Sequence, residues 1–186
     1  MGIDWSIIGQ KGYLFGDFCY YAAINAGLSY NKYYLIEEDV RFSGQALSLF
    51  LEDTLNQATD FICAKFAKAD RNWQWLKSYS YSHPNENLEY QCLFPISSAS
   101  NSAIKFLFAK RIAEFKFFAD NHEFSKIEAN KYFSNDEAFT CNSIANSINH
   151  TISGINESLV NKYFGLNTFN DILNISGDHI IHKYKT

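Results

Sequence analysis

From Ser134 to Gly165, apolar side chains recur at steps of three and four: Cys141, Ile144, Ile148, Ile152, Ile155, Leu159 and Tyr163. That spacing predicts the inward stripe of one long α-helix, roughly 40 Å in length at ~1.5 Å per residue. An element of that size would cross a small domain and decide where everything else can pack. Ser134 and Glu137 stand at capping-box spacing, and Gly165 can supply a left-handed stop. The three-four-four repeat is closer to about 3.67 than to about 3.5 residues per turn, which argues against a long left-handed coiled coil. Asn142, Ser143, Asn146, Ser147, His150, Ser153 and Gly154 fill the other face. They are poor helix formers, so packing of the isoleucine stripe has to hold the helix. Gly154 marks the expected kink or break.

Two more helices follow from the same period. Residues 43–70 carry Leu47, Phe50, Leu51, Leu55, Ala58, Phe61, Ile62 and Phe66 as a wide stripe, with Glu52, Asp53, Asn56 and Asp60 opposite. Residues 101–121 place Ile104, Leu107, Phe108, Ile112, Phe115, Phe118 and Ala119 on one face. Phe106, Ala113 and Phe117 lie nearly opposite, so this helix is expected between two layers. Between these helices the period falls to two. Trp73, Trp75, Tyr79 and Tyr81, then Leu88, Tyr90, Cys92 and Phe94, alternate with polar residues around Ser82–Asn87. That pattern predicts an antiparallel hairpin ended by Pro95.

Shorter elements fill in the rest. Asp17 can cap a helix through Phe18, Tyr21, Ala22 and Ile24 that stops at Gly27. Ile3–Phe15 reads as a hairpin or entry loop around Gly9–Gly12. Short helices are expected from Ser125 and over Thr168–Ile175, and a strand over 178–184. The fold class is therefore α+β and predominantly helical: three long helices (43–70, 101–121 and 135–164) packed with a small antiparallel sheet. No repeat or linker splits the chain, and residues 1–186 are read as one globular domain.

Composition narrows the function classes. The net charge is −4, and Arg41, Arg71 and Arg111 are the only arginines. A nucleic-acid binder is ordinarily basic and richer in the bidentate guanidinium, so no nucleic-acid partner is expected. No signal peptide and no apolar run of ~20 residues is apparent, so no membrane span is expected. Cys19, Cys63, Cys92 and Cys141 are far apart in sequence, and a cytoplasmic chain with reduced thiols is the expectation. Met1–Ser6 fits the short myristoylation pattern, which chance also produces. His179 and His182 have no ligand set around them in sequence, so no metal site and no cofactor are expected.

Three groups of residues are candidates for chemistry or binding. Arg111 falls in the middle of the 101–121 apolar stripe. A buried guanidinium needs a carboxylate and further acceptors. It is either a structural ion pair or a clamp for an acidic ligand or partner. Cys19 lies in the first turn of a predicted helix, where the helix dipole favours a thiolate. His179 opens the predicted terminal strand, beside Asp178. Cysteine at a helix start and histidine on a later strand resembles the chain order of papain-like cysteine hydrolases. The resemblance implies Cys19 as nucleophile and His179 as base, with Gln10 as the flanking glutamine and Asp171 or Asp178 as orienter. The last group is acidic: Glu37, Glu38 and Asp39, with Glu52 and Asp53. Such clusters are commonly just solvated faces, but they also suit a basic protein partner. The leading expectation is a protein–protein interaction module, most concretely an inhibitor, immunity or antitoxin type that masks a basic partner. The thiol hydrolase is the alternative.

Overall fold

The computed structural model describes residues 16–70, 72–73, 75–87, 89–121, 133–160, 164–166 and 176–183. The expected elements within 3–15, 125–132 and 168–175, and the candidate residues Gln10 and Asp171, lie outside these residues. In chain order the elements are α1 (Phe18–Asn25), β1 (Lys32–Ile36), β2 (Val40–Phe42), α2 (Ala46–Asn56), β3 (Phe61–Lys68), α3 (Leu76–Ser82) and β4 (Tyr90–Ser100). They continue with α4 (Asn101–Asn121), α5 (Asp136–Ala145), β5 (Ile152–Gly154), α6 (Glu157–Val160), β6 (Phe164–Leu166) and β7 (Ile180–Lys183).

The architecture is α+β, but it is not three long helices around a hairpin. A mixed sheet in the order β1-β4-β3-β5 forms the centre. β4 runs antiparallel to β1 and β3, and β5 pairs with β3 in parallel. A smaller sheet runs β2-β7-β6, antiparallel between β2 and β7 and parallel between β7 and β6. Among the described residues no helix is long and apolar enough to cross a membrane.

The central sheet separates two cores because side chains alternate along a strand. Phe61 and Cys63 face a layer holding Tyr20, Tyr79, Ile104, Leu107, Phe139 and Ile144, from α1, α3, α4 and α5. Ile62 and Ala64 face Val40, Phe50, Ile155, Leu159 and Ile180, from β2, α2, the β5–α6 segment and β7. All four of Phe61–Ala64 are fully buried, as a strand covered on both faces requires.

Here the expected 43–70 helix fails. An unbroken apolar run suits a helix or a doubly buried strand equally well. The chain leaves helical geometry at Gln57, and Asp60 then anchors the new direction. Its carbonyl accepts from Ser100 N at 2.7 Å. Its carboxylate accepts from the Ser100 hydroxyl at 2.8 Å and Thr151 N at 3.1 Å.

The expected 73–94 hairpin fails for a different reason. Leu76–Ser82 is a helix. It turns Tyr79 into the core, fully buried, so its aromatics answer to tertiary burial rather than to a period of two. Pro95 does not end a strand; it lies inside β4. The β3 partner steps from Ser97 to Leu93 while β3 advances only from Cys63 to Ala64. Residues 94–96 thus form a bulge toward β3, where the missing proline N–H costs no ladder bond. The bulge also explains why Phe94 and Ile96 belong to opposite cores.

The expected 135–164 helix ends at Ala145 and is followed by β5, α6 and β6. The stripe residues Cys141, Ile144, Ile155 and Leu159 are buried, but Ile148 is 98% exposed. The break therefore comes before Gly154, in the Asn-Ser-Ile-Asn-His run of residues 146–150. The helix cap is Asn135, whose side chain accepts from Ala138 N at 2.9 Å, rather than Ser134. Asn142 and Ser143, assigned to an outer face by period, are fully buried. The Asn142 Oδ1 accepts from Glu89 N and Tyr90 N, and its Nδ2 donates to Tyr90 O at 2.8 Å. One amide thus satisfies backbone groups at the start of β4. The 101–121 helix and a strand within 178–184 form as expected.

Candidate functional site

Asp17, Arg111, Glu114 and Ser134 meet in the interior, and sequence placed only Arg111 there. The guanidinium is 1% exposed. Its Nε donates to Asp17 Oδ2 at 3.0 Å and its Nη2 lies 2.9 Å from the same oxygen. Its Nη1 donates to Glu114 Oε2 at 2.7 Å and to the Ser134 carbonyl at 2.8 Å. The guanidinium carbon stands 3.7 Å from the centre of the Phe139 ring, a cation–π contact in a desolvated setting. Asp17 accepts a further bond from Tyr21 OH at 2.7 Å. Glu114 Oε1 accepts from the Ser134 hydroxyl at 2.6 Å and from the Ser82 hydroxyl at 2.8 Å. Asp17 precedes α1 but does not cap it through its side chain. Its carboxylate is turned toward the arginine instead.

Burial opposes charge on Arg111, but Asp17 and Glu114 together hold its pKa above the usual arginine value. Burial raises the pKa of Asp17, against the pull of Arg111. The arrangement ties α1, α4, α3 and the entry to α5 into one unit. Chemically it is a buried clamp between elements, with its acceptors drawn from the chain itself.

Two carboxylates lie beside this clamp, of which sequence offers Glu137 only as a capping-box partner of Ser134 and does not single out Asp136. Asp136 accepts from Gly16 N at 2.9 Å and from Glu137 N at 2.8 Å. The approach is so close that a Cβ on Gly16 would meet the Asp136 carboxylate. Burial, then Glu137, pushes the Asp136 pKa well up. Burial, then Cys92, raises Glu137 to about 8. Acidity in a helix first turn, like the capping-box spacing of Glu137, ordinarily means a solvated cap rather than a buried carboxyl.

The thiols divide sharply. Cys63, Cys92 and Cys141 are buried in one core, while Cys19 is exposed. Cys92 donates to the Glu137 carbonyl at 3.5 Å. The neighbouring Cys141 and Cys63 thiols lower its pKa to about 5, whereas burial drives Cys63 and Cys141 up. Cys19 sits in the first turn of α1, but burial and then the charges of Asp17, Glu37 and Asp136 raise its thiol pKa. Partial burial, with those carboxylates behind it, outweighs the helix-end effect that favours a thiolate. His179 is held by backbone bonds: its N donates to Ser43 Oγ at 3.0 Å, and its carbonyl accepts from Ser43 N at 2.9 Å. Asp178 accepts from Gln45 N at 2.6 Å, ahead of α2. Its carboxylate thus serves the entry to that helix, which passes through Gly44 at φ +53° with no room there for a side chain.

The acidic clusters lie on two surfaces. Glu37, Glu38 and Asp39 form the turn between β1 and β2. His182, on β7, brings its Nε2 to 3.6 Å from Asp39 Oδ1 and 3.9 Å from Glu37 Oε2. Sequence paired His182 with His179 and missed this meeting, because it depends on β2 pairing with β7. Glu52 and Asp53 lie on α2, beside a shallow groove of about 310 Å³ lined by Leu49, Glu52, Asp53, Asn156, Ser158 and Leu159. The helix rests on the body through a narrow stripe, Ala46, Phe50 and Thr54. Leu47, Leu49 and Leu55 remain exposed.

Comparison of the chain with protein-family models, with curated proteins and with solved structures finds no match in any of the three.

Proposed function

We propose that this chain is a protein-binding module that docks a basic, amphipathic segment of a partner protein on the outer face of α2. The supporting observation is the composition of that face. Leu49 is exposed beside Glu52 and Asp53, where a groove runs to Leu159, and Leu47 and Leu55 are exposed on the same helix. Apolar anchors rimmed by one sign of charge are what a complementary helix recognises. The chain's net charge of −4 steers the same kind of partner. An inhibitor, immunity or antitoxin protein masking a basic target is the concrete form of this reading. The thiol hydrolase has weaker support, because the pKa of Cys19 moves away from that of an activated nucleophile.

The test is titration of the isotope-labelled chain with a synthetic helical peptide of Leu and Lys at amphipathic spacing, followed by NMR. Saturable shifts on residues 46–56 and 156–159, weakened by salt and by Glu52→Lys with Asp53→Lys, support the reading. Leu55→Ala should weaken binding as well. Shifts scattered over the acidic surface, or affinity untouched by the charge reversal, overturn it.

A further inference from the structure

We propose that Glu37, Asp39 and His182 form a binding site for a divalent transition cation, with Zn²⁺ as the representative ion. One atom from each side chain lies within 4.8 Å of the other two. The His182 nitrogen is 3.6 Å and 3.9 Å from its two carboxylate oxygens. A direct hydrogen bond would draw such atoms to about 2.7–3.2 Å. Ligands about 2.1 Å from one tetrahedral ion sit roughly 3.4 Å apart. The two His182 separations thus stand within about half an ångström of the spacing around one ion, with the third pair inside 4.8 Å, so a modest closure would bring all three groups onto it.

The backbone holds the ligands in place without the ion. Glu37 N donates to the Pro95 carbonyl at 2.8 Å, and Val40 N closes the turn onto the Glu37 carbonyl at 3.1 Å. Val40 is in register with His182 across the β2–β7 pair. Two ligands thus come from a short turn and the third from a strand more than a hundred residues later in sequence. Arg41, the basic residue of this segment, directs its guanidinium to the carbonyls of Glu38 and Val40. The side chains of His182, Asp39 and Glu37 are 14%, 20% and 33% exposed, and both Asp39 carboxylate oxygens are buried, so the site is sheltered from bulk water.

The donor set chooses the metal class. An imidazole nitrogen beside two carboxylates suits Zn²⁺ and its neighbours, whereas Mg²⁺ and Ca²⁺ call for oxygen ligands. Three protein ligands leave at least one position open to water. Bound there, the ion would fasten the β1–β2 turn to β7 and so join the two sheets.

The experiment is calorimetric titration of the chelator-treated full chain with ZnCl₂ and, separately, MgCl₂, alongside thermal unfolding and Co²⁺ absorption. One equivalent of Zn²⁺ should bind, raise the melting temperature, and be matched poorly by Mg²⁺. The Co²⁺ spectrum should show visible d–d bands without a sulfur charge-transfer band. His182→Gln and Asp39→Asn should each weaken Zn²⁺ binding by about tenfold or more, and Cys92→Ser should leave it unchanged. Unaltered affinity in the His182 and Asp39 variants, a sulfur-to-cobalt band, or no saturable binding overturns the proposal. If His182→Gln does not fold, Glu37→Gln is read instead, and wild-type affinity in that variant overturns it equally.

Discussion

Residues 101–121 and 134–165 carry the same three-four stripe of apolar side chains, yet one is a single helix of 21 residues and the other breaks after Ala145. The difference lies in the residues between the stripes. Residues 102–121 are largely Ala, Lys, Leu, Phe, Arg and Glu, which cost little or moderately little in a helix. Residues 146–156 are Asn, Ser, His, Thr, Gly and isoleucines, which favour turns or extended backbone. Each segment has also found partners that suit its geometry. The helix 101–121 buries Ala103, Ile104, Leu107, Arg111, Glu114 and Phe118 along one line. Residues 152–154 instead complete the sheet beside Phe61–Cys63. A stripe says which residues go inside; the residues between decide which backbone carries them there.

The largest effect expected is at Arg111. Arg111→Met should lower unfolding stability by about 3–5 kcal/mol, because Asp17 and Glu114 then lose their counter-charge in the interior. Urea denaturation measures it. Adding Asp17→Asn and Glu114→Gln should recover a good part of that loss. A single variant as stable as the wild type would show that the clamp does not hold the 101–121 helix in place.

The next test strikes the broken segment. Ile144→Ala should cost about 2–5 kcal/mol, as deletion of a fully buried side chain does. Ile148→Ala should stay within about 0.5 kcal/mol, since that residue is 98% exposed. In one continuous helix the two isoleucines would share a face and a cost. Equal losses would restore the long helix and remove the contrast.

Much of the interior was legible and its geometry was not. The stripes correctly placed Ile104, Leu107, Phe118, Cys141, Ile144, Ile155 and Leu159 inside. The central location of Arg111 followed from spacing alone, and so did the need for carboxylates around it. Which carboxylates was beyond local pattern, because Asp17 lies 94 residues away and read as a cap. Strand β3 was hidden because Phe61–Ala64 is apolar without alternation. The meeting of His182 with Glu37 and Asp39 was hidden because a strand register cannot be read from one strand. Period and polarity both point Asn142 to solvent, yet it is fully buried. Its amide faces inward because the first residues of β4 need backbone partners there.

A third contrast is electrostatic. Around Arg111 the carboxylates face a cation, whereas at the α5 entry Asp136 and Glu137 lie beside each other. Glu137 titrates near 8 in the folded chain, raised by burial and by Cys92, against about 4.3 for a free glutamate. Between those values the folded state carries a proton that the unfolded state has released. Stability must then fall as pH rises across the window and level off above it. Asp136, also raised, acts in the same direction. Glu86 is lowered by Lys110 and Tyr79 in spite of its burial, and its contribution is lost only as pH falls through the ordinary carboxylate range. Cys92, held at about 5, and His83, lowered by burial, act in the opposite direction between pH 6 and pH 8. The Glu137 contribution, about 2 kcal/mol at most for one group, is therefore read as the difference in urea-derived stability between the wild type and Glu137→Gln at the two pH values. Glu137→Gln should make stability rise more, or fall less, with pH than in the wild type; a variant that keeps the wild-type pH dependence would place the responsible proton elsewhere.

The smallest effect discriminates most finely between the two segments, because it concerns where the second one starts. If the helix began at Ser134 with a capping box, Ser134→Ala would remove the cap and Asn135→Ala would do little. The structure reverses these roles: Asn135 receives the Ala138 N–H, and the Ser134 hydroxyl donates to Glu114. Asn135→Ala should accordingly cost about 1 kcal/mol, and Asn135→Asp or Asn135→Ser should restore most of it. Ser134→Ala should show a different signature. Its loss belongs to the Arg111 clamp, so it should largely vanish in the Arg111→Met background, while the Asn135 loss should add to that variant unchanged. A double-mutant cycle reads both couplings, and a Ser134 loss that survives in the Arg111→Met background would return the cap to Ser134.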